Sequence, residues 1–255
     1  MRALVVIPAR YGSTRFPGKA LVRDPDGKPL LQYVVEAAQA AHYASDVVVA
    51  TDDKRIREAV EAFGGDVVMT SPDHECGSDR AAEAAADFDH PVVINLQGDE
   101  PGIRPEMIDR TVELLDEDRQ CELATLAGRI DDAAELADSN VVKVVVDDSW
   151  RALYFSRSVI PFVRDAADPL KESPIPHLRH YGIYAFRRPF LLEYAAFGPH
   201  PLERAEKLEQ LRALAHGYMI KVGLTPYRTC RIDTPEDFEA FVNEFKRRRT
   251  TGERG

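Results

Sequence analysis

The sequence predicts an α/β fold, a doubly wound and mostly parallel sheet that carries a smaller mixed-sheet lobe. Three observations lead there. Apolar β-rich runs alternate with amphipathic helical patterns through about residue 115, and that alternation calls for parallel strands covered on both faces. Cap and stop residues fall where the pattern changes, with Thr51-Asp52 before one helix and Gly64-Gly65 after it. A chain of 255 residues, 44% hydrophobic and 30% charged, is also long enough to bury one large core.

Taken in order, the expected elements are strand 4–7, helix 30–41, strand 47–50, helix 55–63, strand 67–68, helix 79–88, strand 92–96 and helix 105–115. Beyond them, 141–146, 152–155 and 181–186 read as strands, with an irregular stretch over 161–176. That pattern suggests a mixed-sheet lobe or dimerisation arm. Residues 201–216 read as one helix stopped by Gly217, 220–224 as a strand, and 235–249 as a closing helix with Pro235 at its first position. One domain results, with about 1–120 and 217–255 forming the core and about 121–216 the lobe.

Composition removes several classes of function. The net charge of -10, with Asp+Glu 43 against Lys+Arg 33, repels a phosphate backbone, and the basic tail Lys246-Arg-Arg-Arg249 is too short to reverse this. Nucleic acid is therefore not an expected partner. The opening Met1-Arg-Ala-Leu-Val-Val-Ile7 is too short for a signal or a membrane span, and Cys76, Cys121 and Cys230 lack metal-type spacing. A cytoplasmic protein with reduced thiols and no membrane insertion is the expectation.

Ligands of open α/β sheets sit beyond the carboxyl ends of the strands, so the loop after the first strand is weighed first. Pro8-Ala-Arg-Tyr-Gly-Ser-Thr-Arg-Phe-Pro-Gly-Lys19 carries Arg10, Arg15 and Lys19 without a carboxylate. Its small residues Gly12, Ser13 and Gly18 let backbone N–H groups approach phosphate oxygens. It is neither a Walker A sequence nor a dinucleotide fingerprint, which weakens kinase and dehydrogenase readings. Asn95-Leu-Gln-Gly-Asp-Glu-Pro101 ends another strand, where Asp99, with Glu100 in reserve, is placed to hold Mg²⁺ against a triphosphate. In Arg231-Ile-Asp-Thr-Pro-Glu-Asp237 the cap is supplied by Thr234, leaving Asp233 spare to pair with Asp99.

Three further segments are ambiguous by themselves. Strand alternation puts His180, Gly182 and Tyr184 on one face, but such rings are more often packing residues. Glu209 and Gln210 lie off the apolar stripe of their helix, where solvent exposure is the plainer expectation. Ser71-Pro-Asp-His-Glu-Cys-Gly-Ser-Asp-Arg80 has Ser78 as helix cap and Arg80 as a cation aimed at an anionic substrate. No Ser-His-Asp order and no cysteine with a credible base appears, so covalent catalysis is not expected.

Together PARYGSTRFPGK, ATDD, SPDHECGSDR, NLQGDEP, NVVKVV, ALYFSR, RHYGIYAF, LEQLR and DTPED resemble the sugar-acid cytidylyltransferases, closely the family acting on 3-deoxy-manno-octulosonate (Kdo). The resemblance runs nearly end to end. It implies a Rossmann-like nucleotidyltransferase fold in which the 121–216 lobe serves sugar binding and dimerisation. It also implies condensation of CTP with Kdo to CMP-Kdo and pyrophosphate, using Mg²⁺, in a homodimer serving lipopolysaccharide synthesis. Carried over motif by motif, Arg10, Ser13, Arg15 and Lys19 hold CTP, Asp99 and Asp233 hold the metal, and Lys19, Asp99 and Asp233 are catalytic. Arg80, Gln97, Arg157, His180, Tyr184, Glu209 and Gln210 then bind substrate. The chain departs from the family pattern at Cys76, usually Ser, at Phe162, often Trp, and at Arg231, commonly Gly. Rival readings are a cytidylyltransferase for 8-amino-Kdo or a nonulosonate, and a catalytically idle nucleotide-binding protein.

Overall fold

The computed structural model describes residues 2–12 and 16–251, with side chains through Arg247. The first strands follow the predicted alternation: β1 (Ala3–Pro8), α1 (Leu30–Gln39), β2 (Ala44–Thr51), α2 (Lys54–Ala62), β3 (Asp66–Met69), α3 (Gly77–Ala85), β4 (Val92–Leu96) and α4 (Pro105–Glu117). There follow β5 (Leu123–Arg129), α5 (Ala133–Ala137), β6 (Lys143–Val146), β7 (Ala152–Ser156), α6 (Pro169–Glu172) and β8 (Leu178–Arg187). The chain closes with α7 (Arg188–Tyr194), α8 (Pro201–Glu206), α9 (Leu211–Ala215), β9 (Ile220–Leu224) and α10 (Pro235–Thr251).

The nine strands among the described residues join one sheet whose main path is β3-β2-β1-β4-β8-β5-β9. Pairing is parallel from β3 through β4 and between β5 and β9, whereas β8 runs antiparallel to both β4 and β5. The main path is thus mostly parallel with one reversed strand, β8, inside it. The segment predicted as a separate lobe sends β5 and β8 through this sheet, while the β6–β7 hairpin hangs from β8 by Lys143 opposite Arg179 and Val144 opposite Leu178.

Strand alternation divides the core into two layers. Ala3, Val5 and Ile7 pack with α1, α4 and α10 through Leu30, Leu31, Met107, Ile108, Phe238 and Phe241. Leu4 and Val6 face the other way, toward the alanines of α3 and Phe190, Leu191 and Tyr194 of α7. Each fully buried Leu or Ile contributes about 1.5–3 kcal/mol over leaving it in water, so the sheet is held from both faces.

Three local expectations need correction. The helix expected over 201–216 is two short helices, because Lys207 adopts a left-handed conformation (φ 55) and breaks the chain between α8 and α9. Ser78 does not cap α3. The cap is Cys76, whose Sγ accepts the Asp79 N–H at 3.4 Å, while Ser78 sits inside the first turn and its hydroxyl accepts from Asn95 Nδ2 at 3.0 Å. The cap of α2 is Asp53, one residue beyond the expected Thr51-Asp52, and Gly64 ends that helix at φ 81, where a side chain would be strained.

Candidate active site

The chain reverses its direction of travel across the sheet between β1 and β4, and the residues just beyond both strands converge there. Gly18, at φ 69, turns the loop after β1 so that Lys19 opens a single 3₁₀ turn and reaches over the end of β4. Its Nζ lies 2.6 Å from Asp99 Oδ2, 3.1 Å from the Ile232 carbonyl and 3.7 Å from Asp233 Oδ1. The two acids predicted as a pair therefore meet on one ammonium. Backbone bonds hold the approach: Ile232 N–H donates to the Asp99 carbonyl at 2.9 Å, and the N–H of Asp233 donates to Asp237 Oδ2 at 3.0 Å. Asp237 also accepts from Thr234 N–H at 2.8 Å while donating its own N–H to Thr234 Oγ1 at 3.2 Å. The capping of α10 by Thr234 is as the sequence predicts, and the Asp233 carboxylate lies beside Lys19 and Arg231.

Burial alone would raise the Asp99 pKa, but the charges of Arg231 and Lys19 outweigh it and hold the carboxyl below its usual range. For Glu100 the balance reverses, because burial outweighs the help of Thr229, Arg231 and Arg179. Burial and the neighbouring Asp99 charge push it up to about 7, with Thr229 Oγ1 donating to it at 3.0 Å. The donor set near Lys19 is two hard carboxylates, and among the described residues no group of three or more His, Cys, Asp or Glu forms a complete cage. Two carboxylates with the remaining positions left to phosphate oxygens and water is the arrangement that suits Mg²⁺.

From this acidic corner a cleft of about 440 Å³ extends toward the β6–β7 hairpin and α8–α9. Gln97, Asp99, Glu100, Arg157, His180, Tyr184, Glu209 and Gln210, all foreseen from the sequence, line it. The expectation that Glu209 and Gln210 face solvent fails, because the break at Lys207 turns them inward: Gln210 is 2% exposed and Glu209 Oε2 accepts the Ser78 N–H at 3.1 Å. Burial raises the Glu209 pKa. Tyr184 donates its hydroxyl to Gln210 Oε1 at 3.0 Å, and the buried Gln210 Nε2 has no partner among the described residues.

His180 lies beside Tyr184 with ring centroids 5.4 Å apart and planes tilted by 39°, and burial depresses its pKa to about 3, so the ring is neutral. Thr125 Oγ1 lies 2.7 Å from the Ile183 carbonyl and 2.9 Å from His180 Nε2. A hydroxyl has one proton; with it given to Ile183, His180 Nε2 is the donor and Nδ1 the acceptor. Gly182, between the two rings, leaves little room for a side chain: a Cβ there would come 3.3 Å from Glu100 Oε1 and 3.4 Å from Gln97 Cγ, so these side chains would have to give slightly.

Two other predicted residues, Arg80 and Arg10, fall elsewhere. Arg80 is fully buried at the ends of β2 and β3, 3.1 Å from Asp52 Oδ1 and 2.5 Å from Thr70 Oγ1, and is not among the cleft-lining residues. Arg10 is exposed and its guanidinium donates to the His74 carbonyl. Ser13 and Arg15 lie outside the described residues. Arg157 lines the cleft with Nε on the Glu206 carbonyl at 2.7 Å and Nη1 on that of Ser139 at 3.0 Å.

Sequence reasoning missed several supports. Lys143 is buried and donates to the carbonyls of Asp138, Val141 and Arg157 at 2.8, 2.7 and 2.9 Å, tying the cleft-lining loop 138–142 to the end of β7. Arg212, 1% exposed, clamps Glu203 with Nε at 2.8 Å and Nη2 at 2.7 Å and reaches Asp79 at 2.9 Å, joining α8, α9 and α3. Arg231 places Nε 3.0 Å from Asp99 Oδ2 and 3.6 Å from Asp233 Oδ1. For Lys143 the available signal was a lysine inside the apolar run Val-Val-Lys-Val-Val, since a buried amine needs a cage of acceptors.

The fold and these converging acids define a nucleotidyltransferase. The family model described as cytidylyltransferase matches residues 4–222. The 3-deoxy-manno-octulosonate cytidylyltransferase of Geobacter metallireducens is 48% identical over 97% of this chain and 99% of its own, and that of Syntrophobacter fumaroxidans is 49% identical over 95% and 96%. A solved CMP:2-keto-3-deoxy-manno-octonic acid synthetase complexed with CTP superimposes with a TM-score of 0.88 at 42% identity, covering 97% of this chain and 99% of that one. The 4-diphosphocytidyl-2C-methyl-D-erythritolsynthase of Anaerococcus prevotii shares the fold alone, with a TM-score of 0.61 at 17% identity over 97% of this chain and 99% of its own. The chain belongs to the cytidylyltransferase family, and within it to the 3-deoxy-manno-octulosonate cytidylyltransferases.

Proposed function

We propose that the protein condenses CTP with Kdo, giving CMP-Kdo and pyrophosphate, with Mg²⁺ held by Asp99 and Asp233. The observation that carries this is the meeting of two acids from distant parts of the chain on Lys19, at the edge of a cleft where His180, Tyr184 and Gln210 stand together with Arg157 and Arg179. Relatives nearly half identical over almost the whole chain carry that activity in their names, which supports it for this chain.

The reaction joins the C2 hydroxyl oxygen of Kdo to the α-phosphorus of CTP as the bond to pyrophosphate breaks. When bound, Mg²⁺ supplies charge neutralisation at the phosphates and a lower pKa for a coordinated hydroxyl. Lys19 offsets charge on the departing pyrophosphate from its anchored position on the Ile232 carbonyl. On the sugar side, neutral His180 offers an acceptor at Nδ1, and the unmatched Gln210 Nε2 recovers a hydrogen bond when a sugar oxygen arrives. Arg157 and Arg179, both lining the cleft, supply positive potential for the sugar carboxylate.

The working form is a homodimer in the cytoplasm. Phe162 and Ile175, 82% and 49% exposed on segments tied by His177 Nε2 to the Pro161 carbonyl, offer apolar surface to a second copy. No helix among the described residues is long and apolar enough to cross a membrane. Light scattering should give the mass of two chains; a monomer at micromolar concentration removes the dimer.

The function is tested by measuring CTP-dependent pyrophosphate release with Kdo, 8-amino-Kdo and a nonulosonate as acceptors. The highest kcat/KM is expected with Kdo. Preference for another acid reassigns the substrate, and no release with any of them leaves an idle nucleotide-binding protein.

A further inference from the structure

Arg231 touches the same two oxygens as Lys19, Asp99 Oδ2 and Asp233 Oδ1, and so stands where an ion bridging those acids has to go. The two cations differ in how firmly they are held. Lys19 has a third partner in the Ile232 carbonyl and its side chain is 15% exposed. The Arg231 side chain is 56% exposed, its ion pairs among the described residues are with these two acids, and it lines both the cleft and a neighbouring cavity of about 610 Å³. It has somewhere to move.

We propose that Arg231 is a resident counter-cation that the metal must displace, so that divalent metal binds this site by exchange rather than by addition. The inference rests on the assignment of the metal to Asp99 and Asp233. Lys19 and Arg231 already balance the two carboxylates, so a divalent ion entering the intact quartet leaves two uncompensated positive charges. Two changes relieve them: withdrawal of the exposed guanidinium toward the second cavity, and arrival of a triphosphate. The metal-free carboxylates are thereby kept charge-balanced and in register. Metal affinity becomes tied to nucleotide, because phosphate supplies the negative charge that makes the exchange favourable. Arg231 is a positioning residue in this scheme.

The test is direct titration with Mn²⁺, followed by water proton relaxation, with and without CTP and with no sugar present. Arg231→Ala should bind Mn²⁺ alone roughly tenfold more tightly than the unaltered protein, a coupling of ordinary size for two interacting ligands. The enhancement by CTP should shrink in the same variant. Arg231→Lys, which keeps the charge, should behave like the unaltered protein. Loss of binding in Asp99→Asn together with unchanged Mn²⁺ affinity in Arg231→Ala overturns the displacement while leaving the metal site. Undiminished binding in Asp99→Asn removes the metal site and the displacement with it.

Discussion

The two walls of the cleft are built on opposite principles. One wall gathers full charges, Lys19, Asp99, Arg231 and Asp233, from loops at the strand ends, linked by ion pairs at the edge of solvent. The other gathers His180, Tyr184 and Gln210, almost dry and neutral, with Thr125 hydrogen-bonded behind His180 and aromatic rings packed alongside. A charged wall can exchange partners, since each ion it loses is replaced by a phosphate, a metal or water. A neutral buried wall cannot, since each lost hydrogen bond leaves an orphaned group. The first suits a nucleotide that brings its own charge, and the second suits selection of a sugar by shape and hydroxyl placement.

The sharpest way to break this contrast is to truncate one arginine behind each wall. Arg212→Ala strands Glu203 and Asp79 in a buried setting, and the expected loss is about 3–5 kcal/mol in urea unfolding. Arg231→Ala removes an exposed partner and should cost under about 1 kcal/mol. Equal losses would show that burial does not separate the two walls.

On the charged wall the effect belongs in turnover. Asp99→Asn keeps the shape but halves the acidic pair, and kcat should fall by about 10²–10³-fold, the range for removing one preorganised electrostatic contact. CTP affinity should change far less. Near-normal kcat at saturating Mg²⁺ would take Asp99 out of the chemistry.

The charged wall was also the more legible in the sequence. Asp99 and Lys19 follow strands whose β-branched runs announce themselves, and Asp233 stands out because Thr234 already fills the cap. The neutral wall depends on contacts across the sheet that no local pattern reports. Strand β5, Leu123-Ala-Thr-Leu-Ala-Gly-Arg129, was not foreseen: it is buried on both faces, lacks alternation and is rich in Ala and Gly. Helix α7 begins at Arg188-Pro189 directly after β8, with no polar cap to mark it. The left-handed Lys207 that turns Glu209 and Gln210 into the cleft carries no glycine signal. Arg231 could be seen as unusual but not as a bridge, because its partner Asp99 is distant in sequence.

A pH titration sharpens the neutral wall. His180 has its folded pKa depressed to about 3, below the unfolded value near 6.5, so its contribution is fully present above about pH 6.5 and is lost as pH falls toward 3. Glu100 and Glu209, with raised values, contribute in the opposite sense and gain stability as pH falls toward the ordinary carboxylate range. The difference between the unaltered protein and His180→Gln cancels them. Relative to that variant, the unaltered protein should lose about 1.4 kcal/mol per pH unit between pH 6 and 5. Parallel slopes would mean that the ring is protonated in the folded state.

The smallest effect tests the seam where the walls meet, at the start of α3. Cys76 caps that helix through sulfur, a weak acceptor, at 3.4 Å from the Asp79 N–H, and Arg212 Nη2 approaches the same sulfur at 3.8 Å. Burial, with the nearby Glu209 and Asp79 charges, pushes the thiol pKa up, so the sulfur stays neutral. Replacing it with an oxygen gives the helix a preferred cap and gives Arg212 a better acceptor, at the cost of a shorter side chain. Cys76→Ser should therefore raise stability by about 0.5 kcal/mol, a part of the usual worth of a serine cap. A loss instead would show that this seam is packed around the larger sulfur atom, and that here shape outweighs hydrogen bonding.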